Sequence, residues 1–143
     1  MHLLNLYYFL LVLFISNKSE MIVGKWDIVN ITAIDMIRNS DGYLLADFAT
    51  QSLADQKFQL ALDSTVYEFR KDTLYYTDID GVNIIHRRAL WKLIGDTIYV
   101  KEIDRNFFRE YLVRDVTSDT LIFSSILNGK PAKARYIFSK NGK

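Results

Sequence analysis

Residue types that commonly carry catalysis or hold metal ions are scarce in this sequence. It contains no cysteine and only two histidines, His2 and His86. The lack of cysteine excludes a thiol nucleophile, a thiolate metal site and a disulfide. No G-x-S-x-G, H-E-x-x-H or phosphate-binding glycine loop occurs. We therefore expect no catalytic site, no metal site and no cofactor.

Polar residues that strand alternation turns inward are better candidates for a site. Segment 82–94 alternates with the period of a β-strand. The face with Arg87 and Trp91 carries one charge, whereas the opposite face carries two charges and His86. Because the less charged face of a half-buried strand points to the core, Arg87 and Trp91 are predicted to face inward.

The next two predicted strands add three inward-facing polar residues. The same comparison of faces places Glu102 inside strand 97–103, and Arg109 and Tyr111 inside strand 106–116. Short turns at 95–96 and 104–105 then fix the register between these strands. The predicted rows across the sheet are Ala89–Glu102–Phe107 and Trp91–Val100–Arg109.

Two readings of this polar group remain open. Two arginines and one glutamate leave one positive charge in a low-dielectric interior, which is costly unless an anion or water completes it. In the first reading, Arg87 and Arg109, with the Tyr111 hydroxyl beneath them, hold the acidic head of a lipid-like ligand. In the second, the three charged residues form a structural Arg–Glu–Arg network with solvent at its rim.

The elements that position these residues are predicted to be strands. From Gly24 onward, most windows alternate with period two, and short turn sequences such as Asp80-Gly81 and Asn128-Gly129 separate them. Such short connections make neighbours in sequence neighbours in space, and eight strands in a meander usually close into a barrel. The predicted strands are 24–31, 64–71, 73–79, 82–94, 97–103, 106–116, 119–127 and 132–140. The expected fold class is an all-β, eight-stranded antiparallel up-and-down barrel.

One segment interrupts the alternation between the first and second predicted strands. Residues 33–63 are rich in helix formers and contain no alternating run. We expect one helix there, from about Tyr43 to Leu60, with Ser40 or Asp41 as its N-cap. Its ragged apolar stripe favours packing against the barrel.

The beginning of the chain resembles a targeting signal. Residues 3–15 are almost entirely apolar and are followed by an abrupt polar break at 16–20. As a helix this stretch rises only about 20 Å, short of a bilayer's hydrocarbon core, so a secretory signal is favoured over a membrane span. We predict a signal peptide at 1–20, a mature domain at 21–143 without a membrane span, and export to the periplasm, cell envelope or exterior. If translation starts at Met21, the protein is instead cytoplasmic.

Composition and net charge limit the classes of function that remain open for this protein. The chain has 143 residues, half of them apolar and a quarter charged, which is typical of one folded domain. Its formal charge is +1, from 18 basic and 17 acidic side chains. A surface this neutral does not attract nucleic acid. The sequence does not indicate a protein partner.

Several motifs resemble the lipocalin superfamily, in particular the small lipocalin-like domains of bacterial envelope proteins. Gly24-Lys25-Trp26 matches the G-x-W of the first lipocalin strand, and Tyr136-x-Phe138-x-Lys140 resembles the terminal strand. Segments 91–100 and 111–121 resemble the hairpins between them. The likeness covers about 24–140. Lipocalins generally place arginine on the last strand across from the tryptophan, where this chain has Lys140.

The resemblance implies a structural plug and a ligand-binding function. Gly24, Trp26 and Lys140 are expected to close one end of the barrel, with Lys140 stacked over Trp26. An eight-stranded barrel is just wide enough for one small apolar or acidic-headed ligand. The alternative is a structural or interaction protein whose aromatic residues fill the barrel, with no small-molecule ligand.

Overall fold

The computed structural model describes residues 18–140, and the predicted signal segment lies mostly outside this range. Its nine strands are β1 (Gly24–Ile31), β2 (Val66–Phe69), β3 (Thr73–Asp80), β4 (Asn83–Ile94), β5 (Thr97–Glu102), β6 (Phe108–Val116), β7 (Thr120–Leu127), β8 (Lys130–Pro131) and β9 (Tyr136–Lys140). Its helices are α1 (Thr32–Arg38), α2 (Asp41–Leu44) and α3 (Phe48–Ser64). Residues 18–22 are also helical. No helix of residues 18–140 is long and apolar enough to cross a bilayer.

The strands form a closed antiparallel barrel. The order in the sheet is β6-β5-β4-β3-β2-β1-β9-β7, and an additional β6–β7 pairing joins its two edges. Eight strands therefore close the barrel, and the two-residue β8 is an extra strand paired with the end of β7. Closure leaves few strand edges unpaired. In a sequence this rich in alternating apolar residues, unpaired edges would otherwise promote pairing with other chains.

The register agrees with the positions of the predicted turns. Ala89 pairs with Glu102, and Trp91 pairs with Val100, across β4 and β5. Val100 in turn pairs with Arg109 on β6. At the β7–β8 turn, Asn128 and Gly129 both have positive φ, of 51° and 75°. Positive φ at both positions is the geometry that an Asn-Gly hairpin turn favours, so this sequence signal was sufficient to place the turn.

The strands alternate in direction, so the barrel has two distinct ends. The closed end carries the turns 70–72, 95–96 and 117–119 and the start of β1. The open end carries the turns 81–82, 103–107 and 128–129 and both ends of the helical segment. The polar residues predicted to form a site lie toward the open end.

The prediction of a single helix is wrong. Three helices lie between Ile31 and Val66 in the chain. Two separate N-caps divide the predicted helix: Ser40 accepts a hydrogen bond from the Tyr43 amide in α2, and Asp47 accepts one from the Thr50 amide in α3. Helix α1 was missed because its isoleucines favour strands in isolation, whereas here Ile34 is buried.

The predicted last strand, 132–140, is shorter in the structure. It begins at Tyr136 as β9, and residues 132–135 lie outside any strand. At Arg135 the backbone bonds to Thr32 rather than to β7: the Arg135 amide donates to Thr32 Oγ1 at 2.8 Å, and its carbonyl accepts from the Thr32 amide at 3.0 Å. The start of α1 therefore takes the place of a strand partner at this point.

The closed end is sealed by side chains from the two ends of the described chain. Trp26 is fully buried, and its indole N–H donates to the Ile22 carbonyl at 2.7 Å. Lys140 pairs with Trp26 in the sheet, and its Nζ lies 5.3 Å from the centre of the indole. Gly24 has φ of 141°, and a Cβ there would lie 2.5 Å from Lys140 Cε. Only glycine therefore lets Lys140 lie over Trp26 without strain.

Aromatic side chains pack the interior of the barrel. Tyr67 is central, with its ring 5.2 Å from those of Tyr76 and Phe138 and 5.7 Å from that of Phe123. Tyr111 continues the cluster, with its ring 4.5 Å from that of Phe123. All five are buried, so the middle of the barrel is occupied by the protein's own side chains.

Candidate binding site at the barrel mouth

Five charged residues meet at the open end, just above the aromatic core. Three are arginines and two are carboxylates, so their formal sum is +1. They come from β3, β4, β5, the β5–β6 turn and β6, and we call them the mouth cluster: Asp78, Arg87, Glu102, Arg105 and Arg109. Strand alternation turns the four strand residues inward, while Arg105 reaches back over the mouth from its turn.

Asp78 links the three arginines of the mouth cluster. Its Oδ2 lies 3.5 Å from Arg87 Nε, 3.6 Å from Arg105 Nη2 and 3.8 Å from Arg109 Nη2. The contact with Arg109 spans the mouth from β3 to β6. Each guanidinium group carries five N–H donors, whereas the two Asp78 oxygens accept about four hydrogen bonds between them. Asp78 alone therefore cannot satisfy the donors of three arginines.

Glu102 is the most deeply buried charge of the cluster, with 3% of its surface exposed. It accepts hydrogen bonds from Arg105 and from the Tyr76 hydroxyl, and its Oε1 lies 3.9 Å from Arg109 Nε. The hydrogen bond from Arg105 holds the pKa of the Glu102 carboxyl below its ordinary value; burial opposes this shift, and the bond from Tyr76 adds to it. Glu102 is therefore held ionised by partners within the protein.

Two donors of the cluster lie near carboxylates without forming a hydrogen bond to them. The Nε atoms of Arg87 and Arg109 are buried, and neither makes a hydrogen bond to any group in residues 18–140. Buried guanidinium donors normally find acceptors, since leaving one unsatisfied costs about 1–3 kcal/mol or more. The cluster therefore combines one excess positive charge with two N–H groups that make no hydrogen bond in the described part of the chain.

A layer of tyrosine hydroxyls forms the floor beneath the arginines. The hydroxyls of Tyr67 and Tyr111 lie 3.3 Å apart. The Arg109 guanidinium carbon lies 5.6 Å from the centre of the Tyr76 ring. Burial raises the pKa of all three tyrosines, so they stay neutral; the Tyr76 hydroxyl donates to Glu102, and those of Tyr67 and Tyr111 share one hydrogen bond.

The structure brings most of the predicted site residues together. Arg109 and Glu102 are in contact, Arg87 joins them through Asp78, and Tyr111 lies below. Trp91 is not part of this group: its indole N–H donates to the Arg70 carbonyl at 2.7 Å, in a turn of the closed end. It belongs to the packed core, where it contacts Phe69 with 5.0 Å between ring centres.

Sequence reasoning missed two members of the mouth cluster. Asp78 follows Leu74 and Tyr76 at intervals of two, and both are buried, so period two alone predicts that it faces inward. Its nearness to the Asp80-Gly81 turn sequence hid this signal. Arg105 carries no comparable signal, because strand alternation does not set the direction of a side chain in a turn. The described residues contain no group of three His, Asp or Glu side chains that could hold a metal ion.

The wall of the barrel opens beside Arg109. The β6–β7 pairing begins at Tyr111 and Ser125 and runs toward the closed end, so residues 108–110 have no partner on β7. The end of β7 pairs with β8 instead. A groove of about 570 Å³ occupies the gap, and its lining includes Phe107, Arg109 and Leu127. The groove gives access to Arg109 from the side.

Two solved structures are similar to this chain. A lipocalin-like protein from Bacteroides uniformis superposes with a TM-score of 0.51 at 14% identity, over 84% of this chain and 98% of that one. An uncharacterized protein from Bacteroides eggerthii gives a TM-score of 0.48 at 15% identity, over 82% and 98%. No protein-family model and no curated protein matches the sequence. The closed eight-stranded barrel and the first of these likenesses show that the chain has a lipocalin-like fold, as its motifs predicted.

Proposed function

We propose that this protein binds a small ligand with an acidic head group at the mouth of its barrel. The observation that carries the proposal is the pair of buried Nε atoms of Arg87 and Arg109, which make no hydrogen bond within residues 18–140, in a cluster of net charge +1. A carboxylate between them would accept both hydrogen bonds and neutralise the excess charge. Charge-assisted bonds of this kind are among the stronger contacts a protein makes with a small molecule.

The apolar part of the ligand is proposed to lie in the side groove. The rings of Tyr67, Phe123 and Phe138 fill the barrel below the arginines, which leaves little room for a long chain there. Beside Arg109, the groove between β6 and β7 offers the apolar side chains of Phe107 and Leu127. The fold thus supports a shallow site, with the head inside the mouth and the chain along the wall.

A purely structural role is the second candidate, and the packed interior favours it. In that role, Arg105 and Glu102 tie the β5–β6 turn to the barrel, and the mouth cluster serves as a polar plug. The protein would then act as a scaffold of the cell envelope without a small-molecule ligand. We propose a binding or scaffold role, and no catalytic one, because the cluster holds no serine, threonine, cysteine or histidine and both of its carboxylates are paired with arginines.

A matched pair of ligands tests the proposal. Dodecanoate and dodecanol have the same chain and differ in the charge of the head group. Displacement of a fluorescent fatty acid at pH 7 should show that the acid binds about tenfold more tightly, since the alcohol lacks one charge-assisted hydrogen bond. Equal affinities would contradict an acidic-head site, and displacement by neither compound would favour the scaffold role.

Export is proposed on the basis of the apolar segment 3–15 and the polar break after it. Cleavage between residues 16 and 20 would leave Ile22, which is fully buried at the closed end, in the mature chain. Mass spectrometry of the native protein should then find no chain that begins at Met1. Recovery from cytosol of a chain that begins at Met21 would contradict export.

A further inference from the structure

The two ends of the barrel differ sharply in the residues they expose. Each hairpin tip at the open end carries large apolar side chains, which together we call the apolar rim: Val82 and Ile84, then Ile103, Phe107 and Phe108, then Leu127. Val82 is 79% exposed and Leu127 is 64% exposed. At the closed end, the turns 70–72, 95–96 and 117–119 consist of charged, polar and glycine residues. An apolar ring at one end of a barrel marks a surface that contacts something.

Cations border the apolar rim. Lys130, Lys133 and Arg135 follow the β7–β8 turn, are exposed, and form no ion pair with another residue in 18–140. Lys101 lies with its Nζ 5.6 Å from the centre of the Phe108 ring. Of the two acids at the tips, Asp104 is paired with Arg88 at 2.9 Å, whereas Asp80 forms no ion pair within residues 18–140, so the basic residues outnumber the unpaired acids there. Unpaired basic residues beside exposed apolar ones complement an anionic lipid surface.

We propose that the open end docks on an anionic lipid bilayer, with the apolar rim inserted among the lipids and the basic residues against their head groups. Insertion of three separate tips would hold the barrel axis upright on the surface. The mouth cluster and the side groove would then face the lipid phase. This docking goes beyond the proposed ligand site and does not depend on it, because the rim contacts lipid whether or not the arginines bind a head group.

The test uses the full chain and vesicles of phosphatidylglycerol mixed with phosphatidylcholine. Val82→Asp combined with Leu127→Asp should lower co-sedimentation about tenfold, because two inserted apolar side chains are lost. Ile94→Asp is the matched control: Ile94 is apolar and 56% exposed, and it lies at the closed end. Its binding should equal that of the wild type. The N-terminal segment is common to all variants and can bind lipid by itself, so the fluorescence of a tryptophan placed on the rim separates rim contact from binding by that segment.

Two further measurements separate the outcomes. Lys130→Gln combined with Lys133→Gln should reduce binding to phosphatidylglycerol vesicles and leave that to pure phosphatidylcholine unchanged. The fluorescence of Val82→Trp should shift to shorter wavelength on vesicles, whereas that of Ile94→Trp should not. Wild-type binding by the rim double variant, or an equal loss in Ile94→Asp, would overturn the proposal. So would a wild-type dimer that Leu127→Asp dissociates, with no vesicle binding, because a second copy would then cover the rim.

Discussion

Asp78 on β3 and Arg109 on β6 meet across the open end of the barrel, with 3.8 Å between Oδ2 and Nη2. This contact joins two strands that are three apart in the barrel, and it lies above the tyrosine layer. It leaves the Nε of Arg109 buried and without a hydrogen bond in the described chain. The mouth is therefore closed by charges that are only partly satisfied, and the predictions below separate what these charges do for stability from what they do for binding.

Removal of Arg87 should leave stability almost unchanged if the mouth cluster is a binding site. Arg87→Met takes away the excess positive charge and one unsatisfied donor, so the free energy of unfolding should stay within about 0.5 kcal/mol of the wild type. Arg105→Met should cost more stability than Arg87→Met, because it strips a hydrogen-bond donor from buried Glu102. Urea unfolding compares the two. A large loss in Arg87→Met would indicate a structural network.

Stability should fall in acid through Glu102. Its folded pKa lies below its unfolded value, so the ionised form stabilises the fold above the unfolded pKa, and this contribution is lost as pH falls through the folded pKa. Glu102→Gln should therefore be less stable than the wild type at pH 7, and the two should converge at low pH. Unfolding free energies measured from neutral pH down to about pH 3 test this. A constant difference between the two proteins would contradict it.

Trp26 should be among the most costly residues to truncate. Trp26→Ala removes a fully buried indole together with its hydrogen bond to Ile22, and should destabilise the protein by about 3–5 kcal/mol. Phe108→Ala, which truncates an exposed ring, is the control and should change stability little. If Trp26→Ala melted within about two degrees of the wild type, the indole would not be a barrel plug.

Gly24 and Lys140 should be coupled. In Gly24→Ala, the new Cβ meets Lys140 Cε and the residue is held at positive φ, so both a clash and backbone strain arise. In a Lys140→Ala background only the strain remains, and the cost of Gly24→Ala should drop by about 0.5–2 kcal/mol, the value of the displaced cation–π contact. A double-mutant cycle of unfolding free energies measures this. Additive costs would contradict the contact.

The barrel and its register could be predicted because period two and turn chemistry are local signals. The pairing of Ala89 with Glu102 followed from the turn at 95–96 alone. The helical segment could not be divided correctly, because the burial of Ile34, a tertiary contact, overrides the strand preference of α1. The break before β9 likewise depends on hydrogen bonds between Thr32 and Arg135, which are 103 residues apart.

Only site residues on regular strands could be predicted from the sequence. Arg87, Glu102 and Arg109 lie on regular strands, so alternation gave their direction. Arg105 lies in the 103–107 turn, where its direction is set by Glu102 and Asp78 rather than by any sequence period. The side groove depends on where β6 and β7 stop pairing, and no residue type marks that point.

The affinity of a fluorescent fatty acid for Arg109→Met and Arg88→Met tests the central claim most directly. Arg88 is the matched control, since it is an exposed arginine on the same barrel that pairs with Asp104 outside the mouth. The account predicts that Arg109→Met weakens binding about tenfold, the cost of one charged hydrogen bond, while Arg88→Met binds like the wild type. Equal affinities for the wild type and both variants would contradict a ligand site at the mouth.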